Sequence, residues 1–248
     1  MASRGCNLEC VTGEDAGKDV IEFMGPVKII LVDQPKNLYM RKRFAAAAIV
    51  LAHMMMGANS MIIFYYSLSF KKNTCLYASH MALGTAGFQL CMPSAILALH
   101  KLAGSTAVMR LPHRPFEHAF LQLFAIIFGV MSTLVTIFFG KFKITIHSIA
   151  GVAAGVLAIL NVIFGTVIYD YKGTRIDIKE LGRFREPFHK MHKFAGMLSF
   201  TLSSVCFMSG LVKQSFVKWA PVKEIPYISI LFCVFYTLIV LYKPLKEH

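Results

Sequence analysis

The composition of this 248-residue chain excludes an ordinary soluble domain. Hydrophobic residues make up 56% of it and charged residues only 16%, with a mean hydropathy of +0.59. So little polar surface cannot cover a water-soluble core, and we expect a membrane protein. The formal net charge of +13 could suggest nucleic-acid binding. Nucleic acid is excluded as a partner because the Lys and Arg residues follow a membrane topology instead.

The beginning of the chain lacks a signal-peptide pattern, because its short apolar run at 27–32 is interrupted by charge. We expect residues 1–43 to form a cytosolic N-terminal tail. Residues 44–243 then form one domain of six transmembrane helices, and residues 244–248 a short cytosolic C-terminus. The six spans, each about 18 or more apolar residues long, are 44–69, 77–100, 117–140, 144–169, 192–212 and 225–242.

The distribution of basic residues predicts the orientation of these spans. An even number of spans puts both termini on one side, and that side carries 19 Lys and Arg residues against seven on the other. By the positive-inside rule both termini are cytosolic. The surplus charge then faces anionic lipid or a cytosolic anion. The six cysteines are scattered through tail, loops and spans, in no disulfide framework or C-x-x-C metal site.

Four histidines stand at the start of four successive spans. His80 and His147 open spans that begin at the non-cytosolic face, whereas His118 and His192 open spans that begin at the cytosolic face. Each pair therefore shares one leaflet. Two stacked pairs of neutral imidazoles in a four-helix bundle of spans two to five are suited to hold two haems in series. Iron with histidine on both axial positions leaves electron transfer as the expected chemistry.

A glycine follows three of these histidines by four residues, which is one helical turn on the same face. These glycines are Gly84, Gly151 and Gly196, whereas the corresponding position after His118 is Gln122. We expect each glycine to leave room for a flat macrocycle against the helix backbone.

Other histidines offer weaker candidates. His189 lies three residues before His192 on the same helix face, and His192 is preferred because a glycine lies one turn after it. His53, inside the first span, is expected to bond to a neighbouring helix or to contact a haem edge or substrate. His100 is expected to be an interfacial anchor, with contact to a haem propionate or ascorbate as its alternative, and His113 a solvated loop residue.

Three short motifs resemble a known family. They are His118-Ala-Phe-Leu-Gln-Leu-Phe-Ala, His147-Ser-Ile-Ala-Gly and His192-Lys-Phe-Ala-Gly, at the starts of the third, fourth and fifth spans. Through them, and over about residues 44–243, the chain resembles the six-span, ascorbate-reducible, di-haem cytochrome b561 family. Within that family it is similar to the cytochrome b561 domain-containing, 101F6-like branch. The resemblance implies that His80 and His147 ligate a non-cytosolic haem b, and His118 and His192 a cytosolic one.

The resemblance also implies an activity and its partners. It implies a transmembrane ascorbate-dependent ferrireductase or monodehydroascorbate reductase, which takes electrons from cytosolic ascorbate and reduces monodehydroascorbate or ferric iron on the other side. Resemblance to this branch favours endoplasmic reticulum or cytoplasmic vesicle membranes over the plasma membrane. A homodimer is one possible oligomeric state that the sequence leaves undecided. Ascorbate is an anion, so basic residues around the cytosolic histidines are candidates to bind it: Lys101, Arg110, Arg114, Arg183, Arg185 and Lys190.

Two other functions stay open from the residues alone. One is a di-haem electron carrier that receives electrons from a quinol or a reductase partner. The other is a proton or metal carrier that is lined by histidines and holds no haem. A metal carrier is disfavoured because no Asp or Glu lies in the interior of a predicted span, and cations in transit favour carboxylate ligands as well.

Overall fold

The predicted six-span, all-α fold is confirmed. We describe a computed structural model that covers residues 35–69, 75–100, 102–103, 113–139, 143–170 and 182–246, so the predicted tail lies outside the described residues up to position 34. All regular structure within these ranges is helical, without a strand. Six of the helical segments are long and apolar enough to cross a membrane.

Eight α-helices and one π-helix follow one another along the described residues. The first span is α1 (Lys36–Leu68). The second span joins α2 (Cys75–Gly84), a π-helix (Thr85–Cys91) and α3 (Met92–Ala98) without a break. The remaining helices are α4 (Arg114–Phe139), α5 (Ile146–Asp170), α6 (Gly182–Leu211), the short α7 (Gln214–Trp219) and α8 (Ile225–Lys246).

Two helices begin well before the apolar segments that predicted them. The first begins at Lys36 rather than at residue 44, and the fifth span begins at Gly182 rather than at 192. The hydrophobic pattern marks the hydrocarbon layer, whereas a helix continues wherever the residues tolerate it. At 33 residues, α1 is about 50 Å long and exceeds the roughly 30 Å of hydrocarbon.

Small residues allow neighbouring spans to approach closely. Ala150, Ala154 and Ala158 form a buried row on the fourth span. Ser199 Oγ of the fifth span donates a hydrogen bond of 2.8 Å to the carbonyl oxygen of Ala154. The close contact is typical of membrane helices, in which packing and interhelical hydrogen bonds replace the hydrophobic effect.

The first and sixth spans pack against the other helices through a continuous buried cluster. Met56 of α1 and Tyr236 of α8 belong to the same cluster as Phe88 of the π-helix and Phe200 of α6. Large apolar side chains on the outer faces of the spans are exposed, as expected of surfaces that contact lipid. The fold therefore packs the first and sixth spans against the other helices, and the four span-opening histidines belong to the second, third, fourth and fifth spans.

Candidate cofactor site

The four span-opening histidines meet as two pairs. The ring centres of His80 and His147 lie 5.9 Å apart with an interplanar angle of 81°. Those of His118 and His192 lie 6.1 Å apart at 75°. We refer to them as the His80 pair and the His118 pair. Each pair combines the residues that helix direction predicted to share a leaflet.

The spacing within each pair suits one metal ion between two imidazoles. A bond from a metal to an imidazole nitrogen is about 2 Å long, and the ring centre lies about 1 Å beyond the nitrogen. Two rings on opposite sides of one ion therefore have centres about 6 Å apart. Each pair would therefore fit a haem iron held by two histidines. Within the described residues, no group of three His, Cys, Asp or Glu side chains comes together as a metal site.

The second nitrogen of every ring is held by a main-chain carbonyl oxygen. A carbonyl can only accept, so we infer that Nδ1 carries the proton and that the lone pair on Nε2 is free for a metal. Such a bond also fixes the ring orientation and increases the basicity of the ligand. The bonds run from His80 to Ser132 (3.0 Å), His118 to Ala95 (2.8 Å), His147 to Cys206 (2.8 Å) and His192 to Asn161 (3.0 Å).

These four bonds are reciprocal within two helical hairpins. The second and third spans exchange two of them, and the fourth and fifth spans exchange the other two. Each exchange joins the start of one span to the far end of its neighbour, so the spans of a hairpin are antiparallel. The two histidine pairs therefore lie at opposite ends of the bundle, and each hairpin contributes one histidine to each pair.

The spacing between ligand and acceptor repeats along the chain. In the third, fourth and fifth spans the acceptor lies fourteen residues after the histidine, which is almost four α-helical turns and about 21 Å. In the second span it lies fifteen residues after His80. A π-helix accommodates one additional residue, and the π-helix of this chain lies between His80 and Ala95. Both residues can then face the same side of the span.

The three glycines have a different role from the one expected. An added Cβ at each would contact the acceptor residue of the preceding histidine, so the glycine lets the neighbouring helix approach. Gln122 occupies the corresponding position after His118, where the acceptor Ala95 has only a methyl side chain. The contacts of the added Cβ would be Gly84 to Ser132 Oγ (2.8 Å), Gly151 to Cys206 Sγ (3.0 Å) and Gly196 to Asn161 Nδ2 (2.9 Å).

Further contacts of the His80 pair were not anticipated from the sequence. Ser132 Oγ donates to the His80 carbonyl oxygen over 2.7 Å, and Thr136 Oγ1 lies 2.8 Å from His80 Nδ1. The sequence feature that could have indicated these contacts is the pair of hydroxyl residues, Ser132 and Thr136, one turn apart in an apolar span. Lys213, just after α6, is close enough for its charge to act on both His80 and His147. Partial burial lowers the pKa of the Lys213 ammonium below its usual value.

Arg114 lies one turn before His118 and is 7% exposed. Its Nη1 donates to the His100 carbonyl oxygen over 3.0 Å, while its buried Nε has no hydrogen-bond partner among the described residues. A buried guanidinium donor without an acceptor is unfavourable unless an anion completes it. The position therefore fits a carboxylate of the cofactor or an anionic substrate beside the His118 pair.

The other predicted basic residues are less well placed or lie outside the description. Lys190 forms a 2.7 Å ion pair with Glu186 of its own helix, and both are exposed. Arg183 and Arg185 belong to the first turns of α6, with side chains outside the described part. Lys101 and Arg110 lie outside the described residues.

The remaining histidines stand apart from the two pairs. His189 is exposed, whereas His192 faces His118. His53 Nδ1 lies 2.8 Å from the carbonyl oxygen of Ile49, so it bonds to its own helix rather than to a neighbouring one. The His100 ring accepts the N–H of Leu102 and closes a turn after the second span. His113 is exposed.

Comparison with known proteins gives one match. The family model described as eukaryotic cytochrome b561 matches residues 79–218, a range that contains all four histidines of the two pairs. No curated protein and no solved structure matches the chain. The matched range runs from the second span through α7, the part of the fold that contains both hairpins.

Proposed function

Because this chain belongs to the eukaryotic cytochrome b561 family of haem b electron-transfer proteins in membranes, we propose that it holds two haems b in series across the bilayer. The observation that carries the count is the presence of two histidine pairs, each with ring centres about 6 Å apart and both Nδ1 atoms bonded to carbonyl oxygens. His80 and His147 would hold one haem, and His118 and His192 the other. Bound haem supplies reversible one-electron transfer.

The chain contributes position, insulation and direction to this chemistry. The Nδ1 bonds hold the imidazole rings, and the apolar spans exclude water from the path between the pairs. Since each acceptor lies about 21 Å from the histidine of its own helix, the two pairs are separated by a similar distance along the bundle. Electrons would cross that distance within one protein chain.

We assign the His118 pair to the cytosolic side of the membrane. We assign ascorbate as the electron donor to this pair. The excess of Lys and Arg on the side of the termini supports the orientation. The buried, incompletely bonded Arg114 beside His118 supports an anionic donor. Ascorbate is a monoanion at neutral pH, and it leaves as monodehydroascorbate after losing one electron and one proton.

The His80 pair would then deliver electrons to a non-cytosolic acceptor, either monodehydroascorbate or ferric iron. The charge of Lys213, which acts on both rings of this pair, would favour an acceptor with negative charge, such as the monodehydroascorbate anion or an anionic ferric chelate. Resemblance to the 101F6-like branch supports a location in endoplasmic reticulum or vesicle membranes. The activity is thus a transmembrane ascorbate-dependent monodehydroascorbate reductase or ferrireductase.

The haem content tests the core of this function. Pyridine haemochrome analysis of the purified protein should return close to two haems b per chain, with the visible spectrum of six-coordinate haem. A value near zero would reject haem binding and favour a histidine-lined carrier. A value near one would mean that one of the two pairs is not a ligand pair.

The donor is tested by replacing Arg114. Arg114→Gln should slow haem reduction by ascorbate about tenfold or more, because one charged hydrogen bond to an anion is lost. Lys190→Gln is the matched control, since Lys190 is exposed and paired with Glu186. Stopped-flow measurements at low ionic strength should show unchanged reduction by dithionite in both variants. Equal rates of haem reduction by ascorbate in the Arg114 variant and in wild type would contradict this assignment. If a quinol reduced the wild-type haems and ascorbate did not, the quinol would replace ascorbate as the donor.

A further inference from the structure

A buried glutamine connects three spans midway between the histidine pairs. Gln89 belongs to the π-helix of the second span and is 2% exposed. The hydroxyl of Tyr236, in the sixth span, donates to Gln89 Oε1 over 2.5 Å. Gln89 Nε2 donates in turn to Ser203 Oγ of the fifth span over 3.3 Å. The side chain of Cys233 also faces Gln89 Oε1, at 4.0 Å.

The position of Gln89 along the second span gives this contact its importance. His80 lies nine residues before it, and Ala95 lies six residues after it. One end of the span therefore provides a ligand of the His80 pair. The other end provides the carbonyl oxygen that holds His118. Any rotation of one end relative to the other disturbs one pair or both.

The π-helix determines that relative rotation. In an α-helix one additional residue turns everything after it by about 100°. The second span has such an additional residue between ligand and acceptor, compared with the three other spans. The π-helix absorbs it, with the Met92 N–H bonded to the carbonyl oxygen of Gly87 five residues earlier. A π-helix is rare and less favourable than an α-helix, so it needs tertiary contacts to persist.

We propose that Gln89 is a positioning residue for both histidine pairs: Tyr236 and Ser203 hold its amide and thereby keep the second span in the π-form. This inference rests on the proposed function, because the two haems report the orientation of their ligands. In an apolar interior these hydrogen bonds have no competing water. Loss of the amide removes the contacts that favour the π-helix, and the span relaxes toward regular α-helix.

The experiment compares three single variants in the haem-loaded protein. Gln89→Leu removes both hydrogen bonds, and Tyr236→Phe removes one with little change in volume. Thr237→Val is the matched control: the 2.9 Å bond between Ser204 Oγ and Thr237 Oγ1 also joins the fifth and sixth spans but does not involve Gln89. Each variant is measured by redox titration and by electron paramagnetic resonance of the ferric haems, which reports the ligand orientation.

Gln89→Leu should shift both midpoint potentials and the g values of both haems, with haem content near that of wild type. Tyr236→Phe should produce smaller shifts in the same direction, and it decides the question if Gln89→Leu does not fold. Thr237→Val should produce none. Unchanged signals of both haems, or equal shifts with Thr237→Val, would overturn the inference, and a shift of one haem alone would overturn it for the other pair. These outcomes apply when the wild-type protein binds two haems. Absence of haem from the wild-type protein would instead reject the proposed function.

Discussion

A main-chain carbonyl oxygen is available at every residue, so the ring orientation of each histidine depends on helix position and not on the identity of its acceptor residue. Ser132, Ala95, Cys206 and Asn161 share little chemistry, yet each presents its carbonyl oxygen to an Nδ1 atom. A histidine so bonded has one tautomer and one direction for its lone pair. The orientation of the four rings is thus set by backbone atoms, and it follows the positions of the helices.

The histidine pairing predicts which substitutions act together. His80→Ala and His147→Ala should each remove the same redox component, and His118→Ala and His192→Ala the other, because each pair would share one iron in the proposed function. Redox titration of the four variants measures this. His189→Ala is the control and should leave both components, since its side chain is exposed. If it removed the component assigned to His192, the ligand assignment in the fifth span would be wrong.

The charge of Lys213 predicts a shift in one potential. A nearby cation favours the reduced form of a haem, so Lys213→Met should lower the midpoint potential of the His80-pair haem. After screening by solvent we expect about 1 kcal/mol, or about 40 mV for one electron. Lys218→Met is the control, as Lys218 is exposed on α7. An unchanged potential in the Lys213 variant, or an equal shift in the control, would contradict a role for this charge.

At the level of the elements, the second and third spans approach each other closely at the π-helix. A Cβ added to Gly87 would lie 2.7 Å from the carbonyl oxygen of Ala125 and 2.7 Å from the amide nitrogen of Gly129. Gly129 in turn faces the Phe88 ring. The contact is formed by backbone atoms, which cannot move aside as a flexible side chain could. The two spans can therefore cross at this distance only because Gly87 has no side chain.

This contact predicts a contrast between two glycines. Gly87→Ala should destabilise the protein by about 1–3 kcal/mol, because overpacking forces the two spans apart. Gly57→Ala is the matched control within α1, where an added Cβ meets nothing within 4 Å. There we expect no loss, or a gain of up to about 1 kcal/mol from helix propensity. Unfolding of both variants in detergent measures the difference, and equal stability would show that the spans adjust without cost.

The elements also show how far the sequence predicts such a protein. Hydropathy and alternating direction sufficed for six spans and for the partners of His80 and His118, because both follow from the thickness of the bilayer. The helix starts at Lys36 and Gly182 were missed, since helix propensity extends beyond the apolar segment. The π-helix at Gln89 was missed because no residue type signals an additional residue in a turn.

Contacts across helices were the other part that could not be predicted. Gly165 and Gly210 contact the rings of His192 and His147, where an added Cβ would lie 3.1 and 3.3 Å from a ring carbon. Neither glycine was singled out, because its relevant neighbour is on another span. The opposite error occurred with the glycines after the histidines, which were assigned to a cofactor and instead face the adjacent helix. For both sets of glycines, the sequence does not show how far each helix is shifted along its neighbour, so it does not show which residues of the two helices meet.

For the whole molecule, the orientation in the membrane decides what each pair can meet. The described cysteines offer a direct test, because Cys75 is exposed at the start of the span that carries His80. Cys91 and Cys206 are partly buried, and Cys233 is fully buried. An impermeant thiol reagent can therefore report which side of the membrane the His80 pair faces.

We expect Cys75 to be protected in sealed microsomes and to react once detergent opens them. The physical reason is the excess of Lys and Arg on the opposite side, which places the start of the second span in the lumen. The test therefore uses a variant in which Cys6 and Cys10 of the tail are replaced by Ser. The control retains Cys6 but has Cys10→Ser and Cys75→Ser, and its Cys6 thiol should react before detergent is added. Reaction of Cys75 in sealed microsomes would show that the chain has the opposite orientation in the membrane. The sides assigned to the donor and the acceptor would then be exchanged.

The reciprocal hairpins have a consequence for biogenesis. Because each hairpin provides one histidine to each pair, a nascent chain that has inserted only its first three spans holds two of the four paired histidines, one from each pair, and no complete pair. The fourth span completes the first possible site, and the fifth completes the second. A haem held by each pair, as proposed, would then join the two hairpins after they are inserted. A chain truncated before the fourth span would lack both complete histidine pairs, and it would therefore not retain haem.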